Sequence, residues 1–207
     1  MTTVQPASVD EIRRFQKTHV NWLNQPLDQD GILGPQTQWA MALAALGKDR
    51  EDLVRYAISF QGKALEKPPG SNDGPIVRDC LAYIGLPPGH PWCCALICYI
   101  LRNFHYLGRP KLGRVKDFVE RFQEFQTYDP IPGDLGYIVR PDGTGHIFMV
   151  IGVSQFEVMT LEGNVKNQCL VGRRDRTKYG YICIDSRKLS LPGVSSKVPD
   201  LDGAGDR

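Results

Sequence analysis

A change of hydrophobic rhythm at Pro130 constrains this chain more than any other feature. Upstream of it, apolar residues recur every three or four positions; downstream, they fall in short β-branched and aromatic runs separated by turn formers. Helices followed by strands that are neighbours in sequence imply an α+β fold with an antiparallel sheet, not alternating βα units. Ser8 and Glu11 form a capping box ahead of Val9, Ile12, Phe15, His19 and Trp22 or Leu23, which predicts a first helix. Pro35 suits the first turn of a second helix that runs to Leu46 and stops at Gly47. A third is predicted over 51–61, a fourth through Ile76, Val77, Cys80, Leu81 and Ile84, a fifth over 92–103, and a sixth through Val115, Phe118, Val119, Phe122 and Phe125. Strands are predicted over 135–139, 146–153, 156–162 and 181–185, with a reverse turn at 141–145. The pattern divides the chain into a small helical unit over 1–48, a larger α+β domain over 49–190 and a loose Pro-, Gly-, Ser- and Asp-rich tail over 191–207.

Composition excludes several classes of function. With 42% apolar and 23% charged residues, the 207-residue chain has enough hydrophobic material for a core. Its formal charge of +2 does not suit a dedicated nucleic-acid binder. No apolar run approaches the ~18 residues of a membrane span. Residues 1–8 lack the basic flank and apolar stretch of a signal peptide, so synthesis in the cytoplasm is expected, and any role outside the cell would need another exit route. The six cysteines lie within apolar stretches and read as mostly reduced. Neither they nor the histidines have zinc spacing, and Ser71, Asn72, Asp73 and Asp79 are too sparse for a calcium loop, so no metal or other cofactor is expected.

One constellation can do chemistry. Cys93 and Cys94 stand where the fifth helix begins, and a thiol in a first helical turn loses its proton more readily beside unpaired backbone amides. Either cysteine fits an apolar stripe, Cys94 with Ile97, Cys98 and Leu101, or Cys93 with Ile97, Ile100 and Phe104; position in the turn favours Cys93 slightly. A thiol nucleophile needs a base, and His146 follows Gly145, whose missing side chain lets a partner approach closely. Glu162 and Asn164, two positions apart on a strand, would share a face from which either could orient an imidazole. His90 is too near Cys93 in sequence to serve as its base and reads as a substrate-groove residue, as does Trp92.

Nucleophile, base and polar partner in the order Cys, His, Glu follow papain-like logic. The run Asn72-Asp73-Gly74, Gly89-His90-Pro91-Trp92-Cys93-Cys94-Ala95-Leu96, Pro132-Gly133-Asp134-Leu135, Thr144-Gly145-His146-Ile147 and Glu162-Gly163-Asn164 resembles a CHAP domain, over roughly residues 51–187. CHAP domains are cysteine amidohydrolases and peptidases of bacterial cell-wall peptidoglycan, related to the NlpC-type peptidases. The resemblance implies a papain-like fold, Cys93 as nucleophile, His146 as general base, Glu162 as orienting carboxylate and Asn164 as a further polar group. Residues 14–16, followed by Asp30-Gly31-Ile32-Leu33-Gly34-Pro35-Gln36-Thr37 and the helix bearing Trp39, resemble a short peptidoglycan-binding module. That likeness implies a sugar-binding role for Asp30 and Trp39, while Ile32, Leu33 and Trp39 would close a miniature core; a structural cap on the larger domain is the competing reading. Together the two likenesses imply a peptidoglycan hydrolase, either an amidase or an endopeptidase. It would act as a phage lysin, or as an antibacterial toxin with a cognate immunity protein as partner. The alternative is a non-catalytic wall-binding or phage structural protein on the same scaffold.

Overall fold

The computed structural model describes residues 8–185, so the tail assigned to 191–207 lies outside the described residues. Six α-helices precede a six-stranded sheet: α1 (Val9–Thr18), α2 (Pro35–Ala44), α3 (Lys48–Ile58), α4 (Pro75–Tyr83), α5 (Cys93–Leu101), α6 (Val115–Arg121), β1 (Gln126–Thr127), β2 (Leu135–Val139), β3 (Gly145–Val153), β4 (Glu157–Val165), β5 (Gln168–Asp175) and β6 (Gly180–Ile182). Every pairing is antiparallel, in the order β1-β6-β2-β3-β4-β5, which makes the molecule α+β.

Local chemistry sets the helix ends. Ser8 caps α1 reciprocally with Glu11, the Glu11 amide donating to the Ser8 hydroxyl and the Ser8 amide to the Glu11 carboxylate. This helix stops at Thr18, short of Trp22 and Leu23, because residues 19–27 turn back: Asn21 Oδ1 accepts the amides of Leu23 and Gln25, and Val20 bridges Pro26. Two of the strands were not anticipated, the two-residue β1 and the longer β5. The predicted 156–162 strand begins instead at Glu157 and continues to Val165.

The sheet is covered on its helical side and carries a smaller apolar cluster on the other. Along β3, Ile147, Met149 and Ile151 belong to the principal core with α3, α4 and α5, whereas Phe148 and Val150 pack with Val158 and Tyr181. That explains why β3 is buried almost throughout. α5 is the central helix, with every residue buried except Tyr99. It comes close to β4 because Gly163 has no side chain: a Cβ there would lie 2.6 Å from Leu96 Cδ2 and 2.9 Å from Trp92 Cζ3. α3 is tied to the sheet by a buried ion pair, in which Arg50 Nη1 donates to Asp134 Oδ1 and to the Pro132 carbonyl, each at 2.9 Å. Asp134 Oδ2 accepts the Ile131 amide and Oδ1 that of Ile184, so this carboxylate serves the architecture of the turn before β2.

The second helix shares this core. Leu43 of α2 belongs to the principal cluster, and the Trp39 indole donates to the Ile151 carbonyl of β3 at 2.7 Å. The miniature core predicted from Ile32, Leu33 and Trp39 is not present: Ile32 is 64% exposed and Leu33 45%, because the 30–34 turn points them outward.

Candidate active site

Cys93 is the first residue of α5, on an N-terminus that no side chain caps. It is 6% exposed, whereas Cys94 is fully buried. The two neighbours therefore separate by environment. The Cys94 thiol is hydrogen-bonded to Cys98 one turn on, and that bond, together with burial, pushes it well above the ordinary thiol range. Cys98 in turn donates to the Leu112 carbonyl at 3.5 Å. Cys93 instead acts on His146, its hydrogen-bonding and charge contributions both raising the pKa of the ring.

His146 is the second residue of β3, just after the 141–144 turn, in which the Arg140 amide donates to the Thr144 carbonyl and the Thr144 amide to Asp142 Oδ1. Gly145 does permit a close approach, but the atoms it admits are the Ile138 carbonyl and Val115 of α6, not the thiol. His146 shares a strand face with Phe148 and Val150, and Val150 pairs with Thr160 of β4, so Thr160 and Glu162 lie on that same face. His146 Nε2 and Glu162 Oε2 are 2.9 Å apart. With Nε2 engaged, Nδ1 is the ring nitrogen left for the thiol.

Glu162 has no solvent exposure and is held on every side. Thr160 Oγ1 donates to Oε1 at 2.5 Å, Arg174 Nε to Oε1 at 3.0 Å and Arg174 Nη2 to Oε2 at 2.9 Å. Burial opposes its charge, yet the hydrogen bonds from His146, Arg174 and Thr160 prevail and bring its pKa down to about 2. For His146, burial likewise disfavours the charged form, but Cys93 and Glu162 more than compensate, and its pKa rises to about 9. Both shifts favour the charged forms, an imidazolium beside a carboxylate. Gly172, paired with Thr160 across the β4–β5 ladder, leaves the space for this cluster: a Cβ there would stand 2.9 Å from Glu162 Oε1 and 3.1 Å from Thr160 Oγ1.

The remaining predicted site residues are placed elsewhere. Asn164 does not join the cluster. The β4–β5 register shifts between Glu162 and Val165 and Asn164 takes φ +62°, which breaks the two-residue alternation that would have set it beside Glu162. Trp92 is fully buried and its indole donates to Glu66 Oε1 at 2.9 Å, so it is a core residue behind the nucleophile and not a groove wall. Glu66 Oε2 accepts the Asn72 amide, which ties the loop ahead of α4 to the start of α5. His90 is exposed on the loop before Cys93. Asp30 organises its own turn, with Oδ1 accepting the Ile32 amide and Gln16 Nε2, each at 2.8 Å. Trp39 has its indole committed to β3.

Two members of the cluster, Thr160 and Arg174, were missed. Thr160 was accessible in principle, being two positions before Glu162 on a strand; Arg174 was not, because β5 itself went unrecognised. Among the described residues, no group of three or more His, Cys, Asp or Glu could hold a metal ion, and no helix is long and apolar enough to cross a membrane. No protein-family model, curated protein or solved structure matches the chain.

Proposed function

We propose that this chain is a cysteine amidohydrolase or peptidase of papain-like, CHAP type that cuts an amide bond of bacterial peptidoglycan. The observation that carries the reading is a His146 ring 2.9 Å from a buried Glu162 and raised in pKa by Cys93, the first residue of α5. The Cys93 thiolate would attack the amide carbonyl, and the imidazolium would donate its proton to the departing amine. His146, now neutral, would then take a proton from water as it attacks the thioester, regenerating the thiol and releasing the acid. The first-turn amides of α5, free of any side-chain cap, are suitably polarised to bind the oxyanion. Glu162 would fix the ring and balance its charge.

The class of substrate rests on the Trp-Cys, Gly-His and Glu-Gly-Asn elements occurring in the CHAP order, with the N-terminal helices in the place of a wall-binding module. Because the Trp39 indole is spent on β3, the structural cap is the better reading of those helices. Such an enzyme would serve as a phage lysin, or as an antibacterial toxin neutralised by an immunity protein. Incubation with purified peptidoglycan, followed by mass spectrometry of the new end groups, tests the proposal. New amine and carboxyl termini that are lost in Cys93→Ser support it and distinguish amidase from endopeptidase; binding to sacculi without soluble fragments would overturn it in favour of a scaffold protein.

A further inference from the structure

We propose that Arg174 is a positioning residue for this site: its guanidinium holds the Glu162 carboxylate ionised and in place, and so keeps the His146 ring anchored under acid conditions. The inference rests on the catalytic reading above, and it concerns a residue that the Cys, His, Glu pattern does not contain.

The geometry is that of a fork on a carboxylate. Nε and Nη2 of Arg174 reach the two different oxygens of Glu162, at 3.0 and 2.9 Å. Paired donors of this kind fix the plane of a carboxylate as well as its charge. The carboxylate has no solvent exposure, whereas the Arg174 side chain is 24% exposed, so the arginine reaches in from β5 to a group that water does not solvate. Oε2 is shared, accepting from Arg174 on one side and facing His146 Nε2 on the other at equal distances of 2.9 Å. Displacing the arginine would therefore free the very oxygen that orients the ring. Thr160 holds Oε1 only, and as a neutral donor cannot replace the charge.

The surroundings leave few other groups to do this work. From β3 the carboxylate meets His146, and from its own strand Thr160. β5 presents Arg174 and the buried Cys169, whose thiol the nearby Glu162 charge helps to raise. Cys93 of α5 acts on the His146 ring, and Tyr179 lies beyond the arginine, its ring centroid 6.0 Å from the guanidinium carbon. Arg174 is thus the permanent cation of the cluster; His146 is the titrating one. An arginine beside a buried carboxylate depresses its pKa by about one to three units. Without Arg174, Glu162 would take up a proton at a correspondingly higher pH and release its hold on the ring.

The test is a carboxyl titration by carbon NMR of protein labelled at glutamate, with wild type, Arg174→Met and Arg174→Lys compared, and with lysis of purified peptidoglycan measured across the same pH range. The Glu162 signal should move its midpoint upward by about one to three pH units in Arg174→Met, and by less in Arg174→Lys, which keeps the charge but not the fork. The ratio of kcat/KM at low to neutral pH should fall in the same order. If Arg174→Met does not fold, the lysine variant decides alone, with an upward shift supporting the role. An unmoved Glu162 midpoint in a folded variant would overturn it. Because the titration needs no substrate, absence of lysis by wild type would count against the proposed function while leaving this role to be decided by the spectrum.

Discussion

The start of α5 and the turn that joins α1 to α2 are both organised around a buried polar side chain, yet they are built for different ends. At the turn, Gln16 is 2% exposed and spends its amide on Asp30 Oδ1, the Ile32 carbonyl and Thr37 Oγ1, while its oxygen accepts the Gly31 amide. Every partner there is a turn atom or a neutral group except Asp30, and none of them needs to change protonation state. At the site, Glu162 gathers a titrating imidazole and a permanent cation beside a thiol. A fully bonded network with no group that titrates near neutrality holds a loop in shape; one that pairs an imidazole with a buried carboxylate beside a nucleophile can move a proton. The contrast also separates two kinds of exposed surface, since the turn leaves Ile32 and Leu33 in water whereas the site keeps its reactive atoms mostly covered.

The largest effect that would sharpen this comparison is on turnover. Cys93→Ser should lower peptidoglycan cleavage by roughly 10⁴-fold or more with little change in thermal stability, because it removes the nucleophile and keeps its volume. Cys94→Ala should retain activity, and its loss of turnover would move the nucleophile by one position. A pH effect on stability comes next. His146 is raised from 6.5 to about 9, so its contribution is complete below about pH 6.5 and disappears as pH rises through about 9. Glu162 is lowered from 4.5 to about 2, so its contribution is complete above about pH 4.5 and disappears as pH falls through about 2. Chemical denaturation should therefore show stability about 2 kcal/mol lower at pH 8 than at pH 6, below the range in which the buried thiols of Cys80, Cys94 and Cys169 add losses of their own, and this difference should largely vanish in His146→Ala. Gln16→Ala should follow at about 1–3 kcal/mol, leaving Gly31 and Asp30 short of partners, with no change in the difference between pH 6 and pH 8, since the group it holds, Asp30, titrates only in acid. Ile32→Ser, at an exposed position, should stay within about 0.5 kcal/mol. A loss in Gln16→Ala that changes between pH 6 and pH 8, or one in His146→Ala that does not, would break the distinction between the two networks.

Much of the fold could be read from the residues because local rules and tertiary packing agree in most of it. The Ser8 cap, Pro35 at a helix start and the 141–145 turn all occur where their chemistry places them. β5 escaped because Gln168–Asp175 carries Gly172 and three charged residues in a mostly half-buried stretch at the sheet edge, with little hydrophobic alternation. Cys93 and Cys94 could not be separated by periodicity, since a helix buried on all sides offers an apolar stripe to every residue. What separates them is tertiary: one thiol meets a histidine 53 positions on, the other a cysteine one turn along its own helix. Asn164 was misplaced for the opposite reason, because strand alternation was extended through a bulge that sequence spacing does not announce.

Site-resolved alkylation of the native protein tests the central arrangement most directly. Iodoacetamide should modify Cys93 fastest, and His146→Ala should slow that reaction while leaving Cys183, which is exposed to the same 6%, unchanged. Labelling of Cys93 at the rate of Cys183, or a rate indifferent to the loss of the imidazole, would contradict the pairing of thiol and histidine on which the account stands.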